Sequence, residues 1–203
     1  MARACALLLL LAACSGTGFQ YVTSSEANTF FKVPSDWRLY DEEDVFTSTV
    51  SGLSPQQRER SRAAQWIEAF DASPDPSIDH VLNPGARYPA GFARVRVIQN
   101  DERDSFSLNS LKNEVFQLDD LDTANRLEVI SSDDVLLDSG VHGTKMVYNL
   151  RTGGDFFTVN QTALVDPETR LLYVFMIGCQ ADCYVDNESL IQQVADSWTI
   201  KER

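Results

Sequence analysis

Four cysteines and two histidines carry most of the reactive chemistry that this chain could offer. Cys179 and Cys183 stand in a C-x3-C spacing after the apolar run Leu171 to Ile177. In an oxidising compartment, two thiols this close most simply form a disulfide. Free thiols or a zinc site are the alternatives, but zinc needs further ligands of the right type, and His80 and His142 lie far from each other in sequence. The expectation is therefore a Cys179–Cys183 disulfide and no metal. His142 alternates with Thr144, Met146 and Tyr148 and so shares a strand face with them. It is read as a half-buried histidine satisfied by the fold. The competing reading makes it the general base of a hydrolase. His80 lies beside Asp79 in an irregular stretch, which favours a solvated role. Asp119, Asp120 and Asp122 could hold calcium, yet they lack the glycine and closing glutamate of an EF-hand loop. An acidic, hydrated helix end is the simpler account. Asp182, Asp186, Asn187 and Glu188 read as turn and helix N-terminal chemistry. The chain contains no G-x-S-x-G elbow, P-loop or dinucleotide fingerprint. No spacing selects a catalytic set, so no enzyme activity and no cofactor are expected.

The other two cysteines belong to the N-terminus. Arg3 supplies a positive start, and Ala4 to Ala13 form a short apolar segment, too short for a bilayer core of about 20 residues. Leu11-Ala12-Ala13-Cys14 resembles a bacterial lipobox, the signal-peptidase site that leaves a diacylated cysteine at the mature end. An ordinary secretory signal with a small-residue cut is the alternative. On the lipobox reading, residues 1–13 are a signal peptide that takes Cys5 with it, and Cys14 is the lipidation site. Residues 14–28, opening with Ser15-Gly16-Thr17-Gly18, form a tether. Residues 29–203 form one domain. Lipid chains gain ~0.8 kcal/mol per buried methylene, so two or three of them make a firm membrane anchor. The expected location is the bacterial cell envelope, on the extracytoplasmic side.

The formal net charge is −13. An acidic surface repels phosphate backbones, which argues against nucleic acid as a partner. It also argues against charge-driven adhesion to anionic lipid, leaving attachment to the acyl chains. The local exception, Arg58, Arg60 and Arg62 with Glu59 between them, reads as a solvated helix face.

Thr29 to Trp37 reads as a strand ended by Pro34, followed by a turn. A second strand is expected over Val45 to Val50. Ser54-Pro55 with Gln57 makes a capping box for a helix whose apolar face would run through Ala63, Trp66, Ile67 and Phe70. Asp71 to Ala90, rich in Pro, Asp and Gly, reads as a long surface loop and a candidate recognition surface. Phe92 to Ile98 alternates as a half-buried strand, with Arg94 and Arg96 on one face. Ser107 to Leu118 reads as a second helix with Leu108, Leu111, Val115 and Leu118 buried. Three strands then follow, Leu127 to Leu137, Val141 to Leu150 and Phe156 to Val165, separated by turn sequences. Leu171 to Ile177 is apolar throughout, as a central strand covered on both sides would be. Asn187 is expected to cap a last helix, and Thr199 to Lys201 to close as a short strand. The order implies an α+β fold, a mainly antiparallel sheet with helices on its faces.

Three stretches carry a family resemblance: Phe31-Lys32-Val33-Pro34-Ser35-Asp36-Trp37, Gly143-Thr144-Lys145-Met146-Val147-Tyr148, and Val194-Ala195-Asp196-Ser197-Trp198-Thr199-Ile200. With the element order, they resemble the PsbP/Mog1-like fold, shared by an extrinsic photosystem II protein, a Ran-binding protein and extracytoplasmic lipoproteins of the LpqN type. The resemblance implies an α/β/α sandwich and a binding or accessory role. It brings no catalytic residues to carry over. The functional expectation is thus a lipid-anchored extracytoplasmic binding or accessory protein, with an envelope protein, lipid or glycan as its ligand. An envelope-tethering structural role, or a hydrolase using His142, are the rival expectations.

Overall fold

A computed structural model of the chain describes residues 18–48, 52–81, 83, 86–104 and 106–201. Strands β1 (Phe19–Ser24) and β2 (Thr29–Pro34) form an antiparallel pair, and β3 (Arg38–Tyr40) follows a turn. Helices α1 (Glu42–Thr47) and α2 (Pro55–Ala64) lead to β4 (Gln65–Asp71), α3 (Ile78–Val81) and β5 (Ala90–Val97). Three short helices come next, α4 (Asn100–Arg103), α5 (Leu108–Leu111) and α6 (Leu118–Thr123). The long strands β6 (Leu127–Leu136), β7 (His142–Thr152), β8 (Asp155–Val165) and β9 (Leu171–Gln180) form a meander, and α7 (Ala181–Asp196) and β10 (Thr199–Ile200) close the chain. A seven-stranded sheet runs β3-β4-β5-β9-β8-β7-β6, and a three-stranded one runs β1-β2-β10. Every pairing is antiparallel.

The fold is α+β, with the large sheet in the middle. One face packs Met146, Tyr148 and Leu150 against Val45 and Phe46 of α1, Val81 of α3, Leu111 of α5 and Leu118 of α6. The other face packs Phe70, Phe175 and Ile177 against Phe31 and Val33 of β2 and Ile191 and Val194 of α7. β9 lies at the centre and is buried along nearly its whole length, as a strand covered on both sides must be. One buried polar link crosses the first layer. The Tyr148 hydroxyl donates to Gln161 Oε1 at 2.7 Å, and Gln161 Nε2 donates to the Leu111 and Lys112 carbonyls.

Several expectations are corrected. Val45 and Phe46 lie in α1, not in a strand; Val50 lies outside the described residues. Asp41 caps that helix by accepting from the Asp44 N–H, and Glu42, Glu43 and Asp44 fill its first turn, which a helix dipole favours. The Ser54–Gln57 capping box forms as expected, but its helix stops at Ala64. Trp66, Ile67 and Phe70 belong to β4 instead. Ile67 and Ala69 face one layer while Trp66 and Phe70 face the other, so a doubly buried strand imitated a helical stripe. The helix expected over Ser107 to Leu118 breaks into α5 and α6, with Leu108 left exposed. α7 begins at Ala181, not at Asn187, whose side chain donates to the Cys183 carbonyl inside the helix. The sheet starts at Phe19, so part of the segment read as tether is β1.

Candidate functional site

Cys14 lies outside the described residues. Cys179 and Cys183 form a disulfide with a Cα–Cα distance of 5.9 Å, tying the end of β9 to the first turn of α7. His142 is half-buried at the start of β7, and its Nδ1 lies 3.1 Å from the Gly140 carbonyl. That contact is with a backbone acceptor, and His142 forms no carboxylate pair among the described residues. Asp119 opens α6 rather than ending a helix. It receives Asn113 Nδ2 at 2.9 Å and Lys112 Nζ at 2.6 Å. Those hydrogen bonds hold its carboxyl below the ordinary value. Among the described residues no group of His, Cys, Asp and Glu is placed to hold a metal.

The carboxylate–histidine pair occurs where the sequence reading placed a solvated histidine. His80 Nδ1 lies 2.7 Å from Asp71 Oδ2, and the Asp71 side chain is fully buried. The same carboxylate accepts the Ser73 and Ser77 N–H groups, both at 2.9 Å. Each contact folds the segment after β4 back onto Asp71. Val81 and Ala86 then enter the core, and Ala86 accepts the Gln180 N–H. The described residues of the Asp71 to Ala90 stretch are thus tied to the fold by Asp71, Val81 and Ala86.

A cleft of about 430 Å³ opens on the α7 side of the large sheet. Val135 and Leu137 from β6 and its turn, Leu164 from β8, and Ala195, Trp198 and Ile200 from the C-terminal segment make its apolar wall. Lys145, Asp138, Ser139, Thr162, Asp196 and Thr199 supply its polar groups. Lys145 Nζ bridges to Asp196 Oδ1 at 2.7 Å. Burial pushes the Asp196 carboxyl up, but hydrogen bonds from Lys145 and Gln192 outweigh it and hold the group below its ordinary value. Trp198 packs on Phe175 with ring centroids 5.5 Å apart, and its Nε1 is shielded from solvent with no hydrogen-bond partner. A shielded indole donor without a partner carries a desolvation cost. A second hollow, sharing Ser139 and Ile200 with the first, continues toward Asp166, Arg170 and Lys201. Sequence reasoning missed this site, because its walls come from four separate segments. The one available signal was Trp198, which entered the sequence reading only within a stretch carrying the family resemblance.

An acidic hollow lies near the opposite edge of the sheet, lined by Asp41, Glu42, Glu43, Arg62, Trp66 and Glu68. Arg62 pairs with Glu43. Burial, then the neighbouring Asp41, Glu42 and Asp44 charges, push the Glu68 carboxyl up to about 7. The folded state therefore holds this proton more tightly than the unfolded chain does. Stability from this group is full below its ordinary value and falls as pH rises toward about 7. Glu68→Gln, which mimics the protonated form, is expected to melt with the wild type at pH ~5 and above it at pH ~8. Melting curves at both pH values check this, and an equal offset at the two would contradict it.

With the geometry in place, the comparisons bear on the fold. The chain matches no protein-family model and no curated protein. It is similar to the solution structure of cyanobacterial PsbP (CyanoP) from Synechocystis, with a TM-score of 0.53 at 16% identity, over 94% of this chain and 99% of that one. It is also similar to the Saccharomyces cerevisiae Ran-binding protein Mog1p, with a TM-score of 0.46 at 9% identity, over 91% of this chain and 96% of that one. LpqN, involved in cell envelope biogenesis of Mycobacterium tuberculosis, gives 0.43 at 14% identity, over 90% of this chain and 91% of that one. The element order and layers are those of a PsbP-like α+β domain. No described helix is long and apolar enough to cross a membrane.

Proposed function

We propose that this protein is a lipid-anchored, extracytoplasmic binding or accessory protein, held by Cys14, whose ligand seat is the cleft beside Trp198. The observation that supports the reading is the cleft itself: an apolar wall, a Lys145–Asp196 bridge at the rim, and a shielded Trp198 Nε1 with no partner. Few convergent polar groups over an apolar floor suit the binding of a small amphipathic molecule, with orientation set by the polar set. Lys145 supplies a cation, Asp138 and Asp196 supply acceptors, and the Trp198 ring adds apolar surface. A lipid headgroup or a glycan fits these groups. The reading includes no catalysis, because the cleft contains no histidine or cysteine and no activated nucleophile.

Thr199 is exposed on the cleft rim. Thr199→Trp should therefore fill the cleft without disturbing the core. Protein purified from its own membranes is extracted, and the released lipids and glycans are measured by mass spectrometry. The expected result is one class of molecule retained by the wild type and reduced about tenfold in the variant, at an unchanged melting temperature. Equal retention by both proteins, or nothing retained by either, would count against the cleft.

A further inference from the structure

We propose that β6 is a docking edge that takes an extended, lysine- or arginine-bearing polypeptide segment as an eighth strand of the large sheet. This goes beyond the cleft reading and does not depend on it. Among the described residues β6 ends the sheet order and pairs only with β7, which leaves its outer edge open along ten residues. The opposite edge, β3, is only three residues long. Long open edges are templates for strand addition, and proteins usually blunt them with proline, lysine or a covering element. β6 carries neither proline nor lysine, and its single bulge, at Val129 to Ser131, leaves a regular register from Ser131 to Leu136.

The side chains state what such a strand would have to be. Val129, Ile130 and Leu136 are 48%, 57% and 77% exposed, an unusual set of apolar groups for one edge. Between them stand Asp133 and Asp134, which form no ion pair among the described residues. Asp133 lies opposite Lys145, but Lys145 is bridged to Asp196. A second copy of this chain is a poor occupant. Antiparallel pairing of two copies along the regular stretch Ser131 to Leu136 would set Asp133 of each opposite Asp134 of the other, and like charges directly opposite are destabilising. A strand with basic residues at that level and apolar residues toward the ends matches both features. Main-chain hydrogen bonds would give the affinity, and the aspartates the selection.

The test uses the lipidated protein in detergent and a dye-labelled decapeptide alternating valine with lysine. Its isomer N-methylated at every second residue is the control, with equal charge but no ladder donors on one edge. The measurement is fluorescence anisotropy at physiological salt, with hydrogen exchange mapping the contact. The expected result is binding by the plain peptide, slowed exchange on β6, and at least about tenfold weaker binding of the methylated isomer. The Asp133→Asn, Asp134→Asn double variant should also bind about tenfold more weakly while keeping its melting temperature. Equal binding of the methylated isomer would show charge attraction alone and overturn the proposal. So would no binding by the wild type. A concentration-dependent dimer of the wild type that the double variant lacks would assign the edge to a second copy and overturn it as well.

Discussion

Replacing Gly91 with alanine is expected to cost about 3 kcal/mol or more and to leave little folded protein at 37 °C. A Cβ at that position would lie 2.0 Å from the Met176 carbonyl oxygen and 2.9 Å from the Ile177 Cα. Both atoms are backbone of β9, the strand at the centre of the large sheet. No rotamer change relieves the clash, because nothing flexible is involved. β5 would have to move away from β9, and with it β4 and β3. Loss of that seam would open both layers at once, since Ala93 and Phe92 on the same strand face opposite cores. Chemical denaturation measures the effect, with Gly154→Ala as the control. Nothing lies within 4 Å of a Cβ at Gly154, so that variant should unfold close to the wild type. Near-wild-type stability of Gly91→Ala would mean that β5 and β9 are not packed as described.

The second large effect belongs to Asp71. Asp71→Ala is expected to cost about 2–4 kcal/mol, because it strips the acceptor from the Ser73 and Ser77 amides and from His80. The damage should be local in hydrogen exchange, fastest at Ser73, Ser77 and the residues of α3, and should spread to Ala86 and Gln180 through their shared hydrogen bond. His80→Ala should cost less, because its ring is partly exposed and the two backbone donors keep their acceptor. A neutral Asp71→Ala variant would return the Asp71 to Ala90 segment to the role of a free loop.

The parts of this fold that were legible in the sequence are those with one period and one cap. The meander from Leu127 to Val165 was readable because turn residues such as Asp138-Ser139-Gly140 separate strands of alternating character, and Gly140 takes a φ of +84° there. The Ser54–Gln57 capping box was readable because both partners sit close in sequence. β4 was not, because burial on both faces erased its alternation and left apolar residues at helix-like steps. α1 was not, because Val45 and Phe46 favour strands while the decisive groups are the acids before them. The disulfide needed only the spacing of Cys179 and Cys183. The cleft and the Asp71–His80 pair needed the tertiary structure, since Lys145 meets Asp196 across 51 positions. β6 could be recognised as a strand from its sequence, but only the sheet order showed that its outer edge is open.

The anchor proposed at Cys14 would place the cleft and the β6 edge on the extracytoplasmic side of a membrane. The measurement that tests it most directly is mass spectrometry of the mature N-terminal peptide, taken from protein in the membrane fraction. The predicted result is a chain beginning at Cys14 with a diacylglyceryl group on its sulfur, and release of Cys14→Ser protein from membranes. An unmodified Cys14, or a mature end at another residue with wild-type protein free of membrane, would contradict the account.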